Sequence, residues 1–298
     1  LTIALLLALD RRVVENVVDL RNGKWNKSEY SKADGLFGKT IGIIGVGQIG
    51  KEVIHRAKAL GLKVIAWARS LTPEKAEQLG VVCAEFIEEL VPQCDIISVH
   101  LAMKPETKNI INRKIIESMK PRTIFLNTSR WEVVDEETLF EAARDGKIRV
   151  GADVFSDEPE DKSSPFTNKL ATLPNVYGTH HIGASTEQAQ NAVADEVVAI
   201  IKQYKELGTV RNWVNRAKKT AATYQMIVRH FDKPGVLANV LDDLKFANIN
   251  VQEIENVIFE GQQTACCTLK LDAQPTDAVL TSIRRRSEEV IQAALVEL

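Results

Sequence analysis

The chain lacks most of what would place it among membrane, nucleic-acid or disulfide-framed proteins. Its apolar opening, Leu1 to Leu9, is too short to span a bilayer and has neither a basic lead nor a small-residue cleavage site. It lacks an excess of charge: 38 Lys and Arg face 40 Asp and Glu, a net charge of −2, so no electrostatic case exists for nucleic acid or a lipid surface. The run Arg284-Arg285-Arg286 reads as a solvated helix face. Only four cysteines occur, Cys83, Cys94, Cys266 and Cys267, with no C-x-x-C among them. They read as small apolar residues in a reducing, cytoplasmic compartment, and no metal site is expected. There is no initiator Met, and the chain opens as though in mid-helix, which leads us to expect further residues upstream.

What is present is ample apolar material, 45% of 298 residues, enough for two or three domains of ordinary size. The stretch Lys39 to Ser70 organises it. Thr40 to Ile44 is an apolar, β-branched run, as in a strand buried on both faces. Gly45, Gly47 and Gly50 follow in G-x-G-x-x-G register, then Ile49, Val53, Ile54 and Ala57 at helical spacing, then a second strand from Lys63 to Trp67. In a strand–turn–helix the first glycine permits the turn and the second admits a pyrophosphate. The third packs helix on strand. The diphosphate would sit on the N–H groups of Gln48 and Ile49 at the helix start.

After Ser70, short helical and apolar strand patterns alternate as far as Val176 to His180, which argues for a doubly wound parallel sheet of Rossmann type. Its polar loop residues gather after strands: Thr128, Ser129 and Arg130, then Asp157 and Glu158, then His180 and His181. Ligands of such sheets collect at that edge. Ser185 to Lys205 reads as one amphipathic helix, and Arg211 to Ala222 as a polar linker. Beyond it the order β-α-β-β-α-β is ferredoxin-like. We therefore expect a dinucleotide domain over 1–182, a substrate-domain remnant and linker over 183–216, and a small domain over 222–298.

Hydride transfer to a 2-keto acid needs a cation for the carboxylate, an acid for the developing alkoxide, and a carboxylate to orient that acid. Arg130, His181 and Glu158 offer one of each. Residues 1–216 resemble the NAD(P)-dependent D-2-hydroxyacid dehydrogenases through IGIIGVGQIG, ISVHLAMKPETKNIIN, MKPRTIFLNTSRWEVVDEETL, DVFSDEPE and HHIGAST. Residues 222–298 look like an ACT domain. The pairing resembles the phosphoglycerate dehydrogenases of serine biosynthesis. The resemblance implies Arg130 as the catalytic arginine, Glu158 as the orienting glutamate and His181 as the acid–base histidine. It also implies Thr128 at the cofactor and Asp153 on the nicotinamide amide. The activity implied is oxidation of 3-phosphoglycerate to 3-phosphohydroxypyruvate by a homodimer or homotetramer. The ACT resemblance implies an L-serine effector that would bind near His230 and Asp232 of the small domain.

Three departures shape the expectation. Family members that use NAD place an acid after the second strand for the ribose 2′-hydroxyl. Here Ala68 and Arg69 stand there, which favours NADP, since a guanidinium binds the 2′-phosphate bidentately. Trp131 follows the catalytic arginine where the family has glycine, and is expected to resist a positive φ and to crowd the pocket. The family also builds its substrate domain partly from residues before this start. Two alternatives follow: an NADP-dependent hydroxypyruvate or glyoxylate reductase, and a non-catalytic protein that binds nucleotide and amino acid.

Overall fold

The computed structural model describes every residue except 162, 216, 218, 219 and 287. Arg216, Lys218 and Lys219 of the expected linker thus lie outside the described residues. Two compact units emerge, Leu1–Ala199 and Ile200–Leu298. The first is built on β1 (Thr40–Ile44), β2 (Lys63–Trp67), β3 (Val82–Cys83), β4 (Ile96–Val99), β5 (Thr123–Asn127), β6 (Ile148–Ala152) and β7 (Val176–Gly178). They lie side by side as β3-β2-β1-β4-β5-β6-β7, and every neighbouring pair is parallel. The order reverses between β1 and β4, which opens a crevice at the carboxyl ends of those two strands.

Both faces of this sheet are covered, which is why its strands read as continuous apolar runs. Ile41, Ile43, Ile124 and Leu126 pack on one side against Leu5, Leu6 and Leu9 of the helix Thr2–Arg11 and Val53, Ile54 and Ala57 of the helix Gln48–Ala59. Ile44, Ile97, Phe125 and Val150 pack on the other, with Leu90, Ile115 and Leu139.

The helix on which the chain opens ends early, although apolar residues continue through Val13, Val14, Val17, Val18 and Leu20. It breaks at Arg12, which takes φ 51° between the helices Thr2–Arg11 and Val13–Arg21. Contacts distant in sequence hold that turn. Arg12 Nη1 donates to Glu29 Oε1 at 2.6 Å, and the guanidinium lies 5.1 Å from the centre of the Tyr30 ring. The helix Glu187–Leu207 buries none of its side chains, and the division between the units falls inside it, at 199/200.

The second unit has β8 (Tyr224–Phe231), β9 (Val251–Ile258), β10 (Thr264–Leu271) and β11 (Val290–Glu297), ordered β11-β8-β10-β9 and antiparallel throughout. The helices Val236–Phe246 and Asp277–Arg286 complete a β-α-β-β-α-β order around Met226, Val228, Val240, Cys267, Leu269 and Ile283. Alternation along β10 buries Cys267, whose thiol burial pushes up to about 11, and leaves Cys266 half-exposed. Arg284 is not merely a solvated charge, because its Nη2 donates to the Ala293 carbonyl of β11.

Candidate active site

The glycine turn after β1 has the geometry its three roles require. Gly45 takes φ +104°, and a Cβ there would stand 2.4 Å from the His100 carbonyl oxygen at the end of β4. A Cβ on Gly50 would lie 2.0 Å from the Gly45 carbonyl oxygen, so the helix packs directly on the turn. Gly47 differs: a Cβ there would meet nothing within 4 Å, and its backbone faces open space. It is the N-cap of the helix Gln48–Ala59, and among the described residues no side chain caps the N–H groups of that first turn. Gln48 and Ile49 are exposed beside it. An uncapped helix start behind a bare backbone suits an anionic diphosphate.

At the end of β2, Arg69 is exposed on a turn. Beside it lies a cavity of about 350 Å³, lined by Val46, Lys51, Ala68, Ser70, Lys75 and Gln78 among others, and among the described residues no carboxylate stands in its wall. Lys75 Nζ donates to the Ser70 carbonyl at 3.2 Å, which holds one ammonium group at the turn.

Arg130, Glu158 and His181 lie beyond the carboxyl ends of the adjacent strands β5, β6 and β7. His181 Nδ1 stands 2.7 Å from Glu158 Oε2. A carboxylate can only accept, so the imidazole donates from Nδ1 and presents Nε2 outward. Glu158 Oε1 accepts from the Phe155 N–H at 2.8 Å, which sets the carboxylate plane. Arg130 is exposed, and its Nη1 donates to the Ser129 carbonyl at 2.6 Å. Among the described residues no hydrogen bond joins it to Glu158 or His181. Asn127 shapes its loop, donating to the Arg130 carbonyl at 2.9 Å and accepting from Ser129. Thr128 pairs its hydroxyl with that of Thr2 at 2.7 Å. Trp131 starts a 3-10 turn and is not among the residues of positive φ, so the strain expected of it does not arise.

Asp153, expected on the nicotinamide amide, is buried and engaged with the segment that carries His181. It is 1% exposed. Its carboxylate accepts from Thr179 Oγ1 at 2.6 Å, Ile182 N–H at 2.9 Å and Gly183 N–H at 2.8 Å. These bonds bracket His181, which itself takes φ 53°. A left-handed non-glycine residue costs about 1–3 kcal/mol and persists only where its surroundings fix it. Asp153 does that fixing. The sequence reading missed His100, which follows β4 directly and lies beside Gly45, and Glu136, which ties down the loop after β6. The first was legible as the polar residue closing the buried run DIISVH. The second carried no local signal.

Comparison with known proteins decides the family. Residues 3–183 match the model described as D-isomer specific 2-hydroxyacid dehydrogenase, NAD binding domain. The chain belongs to that family. It is 41% identical over 216 residues to a D-3-phosphoglycerate dehydrogenase of Methanocaldococcus jannaschii, covering 72% of this chain and 40% of that protein. It is 42% identical over 209 residues to a hydroxypyruvate reductase of Thermotoga maritima, covering 70% and 65%. Among solved structures, D-lactate dehydrogenase from Aquifex aeolicus, complexed with NAD and lactic acid, superposes with a TM-score of 0.61 at 30% identity, covering 69% and 65%. The chain thus spans between 40% and 65% of the length of these relatives.

In the second unit, His230 is 2% exposed. Its Nδ1 donates to the Phe231 carbonyl at 2.7 Å, and its Nε2 lies 3.2 Å from the Asn256 side-chain amide. Asp232, two residues on, is exposed, and its N–H donates to the Gln263 carbonyl at 2.9 Å. The two expected effector residues therefore stand together in the chain, with one ring already engaged.

Proposed function

We propose that this protein oxidises a small D-2-hydroxy acid, 3-phosphoglycerate in the first instance, or runs the reverse reduction. The observation that carries the reading is the 2.7 Å Glu158–His181 contact at the sheet edge that also holds the Gly45–Gly50 cradle. The cradle fits a dinucleotide, since Gly47 leaves its backbone bare and the helix behind it is uncapped. When bound, the dinucleotide supplies the acceptor or donor of hydride. The chain supplies the rest. Arg130 holds the substrate carboxylate, and His181 Nε2 takes the hydroxyl proton as the C–H bond gives up its hydride. Glu158, anchored on Phe155 N–H, holds Nδ1–H and favours the imidazolium that forms.

A second reading, an NADP-dependent hydroxypyruvate or glyoxylate reductase, is favoured by Arg69 and by the cavity beside it, whose wall includes Lys51 and Lys75. In either reading NADP is preferred over NAD. The second unit is proposed as a ferredoxin-like ACT domain, with L-serine as effector at the His230–Asp232 turn. The protein as a whole is proposed to be a cytoplasmic homo-oligomer. Among the described residues, no helix is long and apolar enough to cross a membrane.

Nicotinamide absorbance with 3-phosphoglycerate, hydroxypyruvate and glyoxylate, each with NADP and NAD, tests the reading. Turnover should fall by about 10²–10⁴ in His181→Gln. Arg69→Asp should lower the NADP/NAD ratio of kcat/KM by about tenfold or more, losing a charge-assisted pair. Dinucleotide binding without turnover of any acid would support the non-catalytic alternative instead.

A further inference from the structure

We propose that Glu136 is a positioning residue for the Glu158–His181 pair. Its bearing on turnover rests on the acid–base reading above, whereas its geometric claim does not. Glu136 opens the helix Glu136–Arg144, which Asp135 already caps by accepting from the Thr138 N–H at 3.1 Å. A glutamate at such a position ordinarily faces water and serves the helix dipole. Here it is half-buried, and its carboxylate turns to the loop that follows β6.

Three donors meet it. Ser156 N–H reaches Oε2 at 2.9 Å, Ser156 Oγ reaches Oε1 at 2.7 Å, and Asn168 Nδ2 reaches Oε1 at 2.8 Å. Asn168 is 4% exposed, and its Oδ1 accepts from the N–H groups of Leu170 and Ala171. Ser156 and Asn168 flank Glu158 on both sides in the chain. Ser156 also follows Phe155 directly, and it is Phe155 N–H that fixes Glu158 Oε1 and leaves Oε2 for the imidazole. Glu136 thus sets the backbone from which the Glu158 carboxylate is aimed. Asp153 sets the backbone of His181 from the other side. The 2.7 Å contact is the meeting of two separately anchored loops.

The tautomer of His181 reads this directly, without catalysis. Long-range ¹H–¹⁵N correlation on ¹⁵N-histidine-labelled protein, at a pH above the usual histidine range, distinguishes Nδ1–H from Nε2–H. With only five histidines in the chain, the signals can be assigned by substitution. The wild type should show His181 mainly as Nδ1–H. In Glu136→Gln an amide donor confronts the Ser156 N–H or the Asn168 amide, so one bond is lost and a clash of donors results. There Nδ1–H should drop from the main to a minor species, and kcat should fall while KM for the dinucleotide holds. Ser156→Ala, which removes one of three bonds, should shift the tautomer the same way by less, and it decides the matter if Glu136→Gln fails to fold. An unchanged His181 tautomer in a folded variant overturns the proposal. A wild type that shows the Nδ1–H form but no turnover would defeat the assigned activity and leave the positioning role intact.

Discussion

His100 shows what the crevice costs at the scale of one residue. Its ring lies against Ser98 Oγ, Nε2 to oxygen 2.8 Å, and burial pushes its pKa down to about 4. The folded protein therefore keeps His100 neutral where the unfolded chain, titrating near 6.5, is protonated. Between those two values the unfolded state binds more protons, so stability is fully present above about pH 6.5 and is lost as pH falls toward 4. Urea unfolding at about pH 7 and about pH 5 should differ by about 2 kcal/mol from this residue alone. His100→Gln, which keeps a partner for Ser98, should shrink the difference by that amount. An equal slope in the variant would place the acid sensitivity elsewhere. His181 contrasts with it: half-exposed at 49%, it owes its geometry to Asp153 and Glu158 rather than to burial.

At the scale of the element, the glycine turn and its helix separate two kinds of requirement. Gly50→Ala would drive a methyl group to 2.0 Å from a backbone oxygen that cannot swing aside. Overpacking of that kind costs about 1–3 kcal/mol, so Tm and dinucleotide affinity should fall together. Gly47→Ala meets nothing within 4 Å and has φ −76°, so its cost is about 1 kcal/mol or less, that of a poorer N-cap. Dinucleotide affinity should nevertheless fall by about tenfold or more if the diphosphate lies on that backbone. A melt and a binding titration on both variants check this, and unaltered affinity in Gly47→Ala would remove the diphosphate from the turn. The strand–turn–helix was legible because each of its rules is local: burial on two faces, a positive φ at Gly45, a close approach at Gly50. The break at Arg12 was not legible, since neither glycine nor asparagine marks it and what holds it, Glu29 and Tyr30, lies some seventeen residues on. Glu136 was hidden for the same reason: its donors, Ser156 and Asn168, belong to a loop twenty or more residues away. The Glu158–His181 contact lay within reach of sequence reading because both residues follow strands that a doubly wound order makes neighbours.

At the scale of the whole molecule, two units with separate cores share one chain, and the question is whether a ligand on one is felt by the other. L-serine at the His230–Asp232 turn would have to compete with bonds His230 already makes to Phe231 and Asn256. Any such binding is therefore expected to reorganise the end of β8 and its link to β9. Linkage makes the effect reciprocal: the factor by which L-serine alters dinucleotide affinity must equal the factor by which the dinucleotide alters serine affinity. Calorimetric titration of L-serine, with and without saturating NADP, measures that factor, and titration of NADP with and without L-serine must return the same one. Heat on binding, abolished in His230→Ala, is the expected result. Its absence would sink the effector reading and leave the second unit as an assembly module. The structure offers material for that role too. β9 is an edge strand of its sheet, with Ile254, Val257 and Ile258 about half-exposed along it, and an unpaired apolar edge is a template for a second copy. The two roles need not compete, because a ligand that shifts the end of β8 through Asn256 would act on the strand a partner copy would pair with.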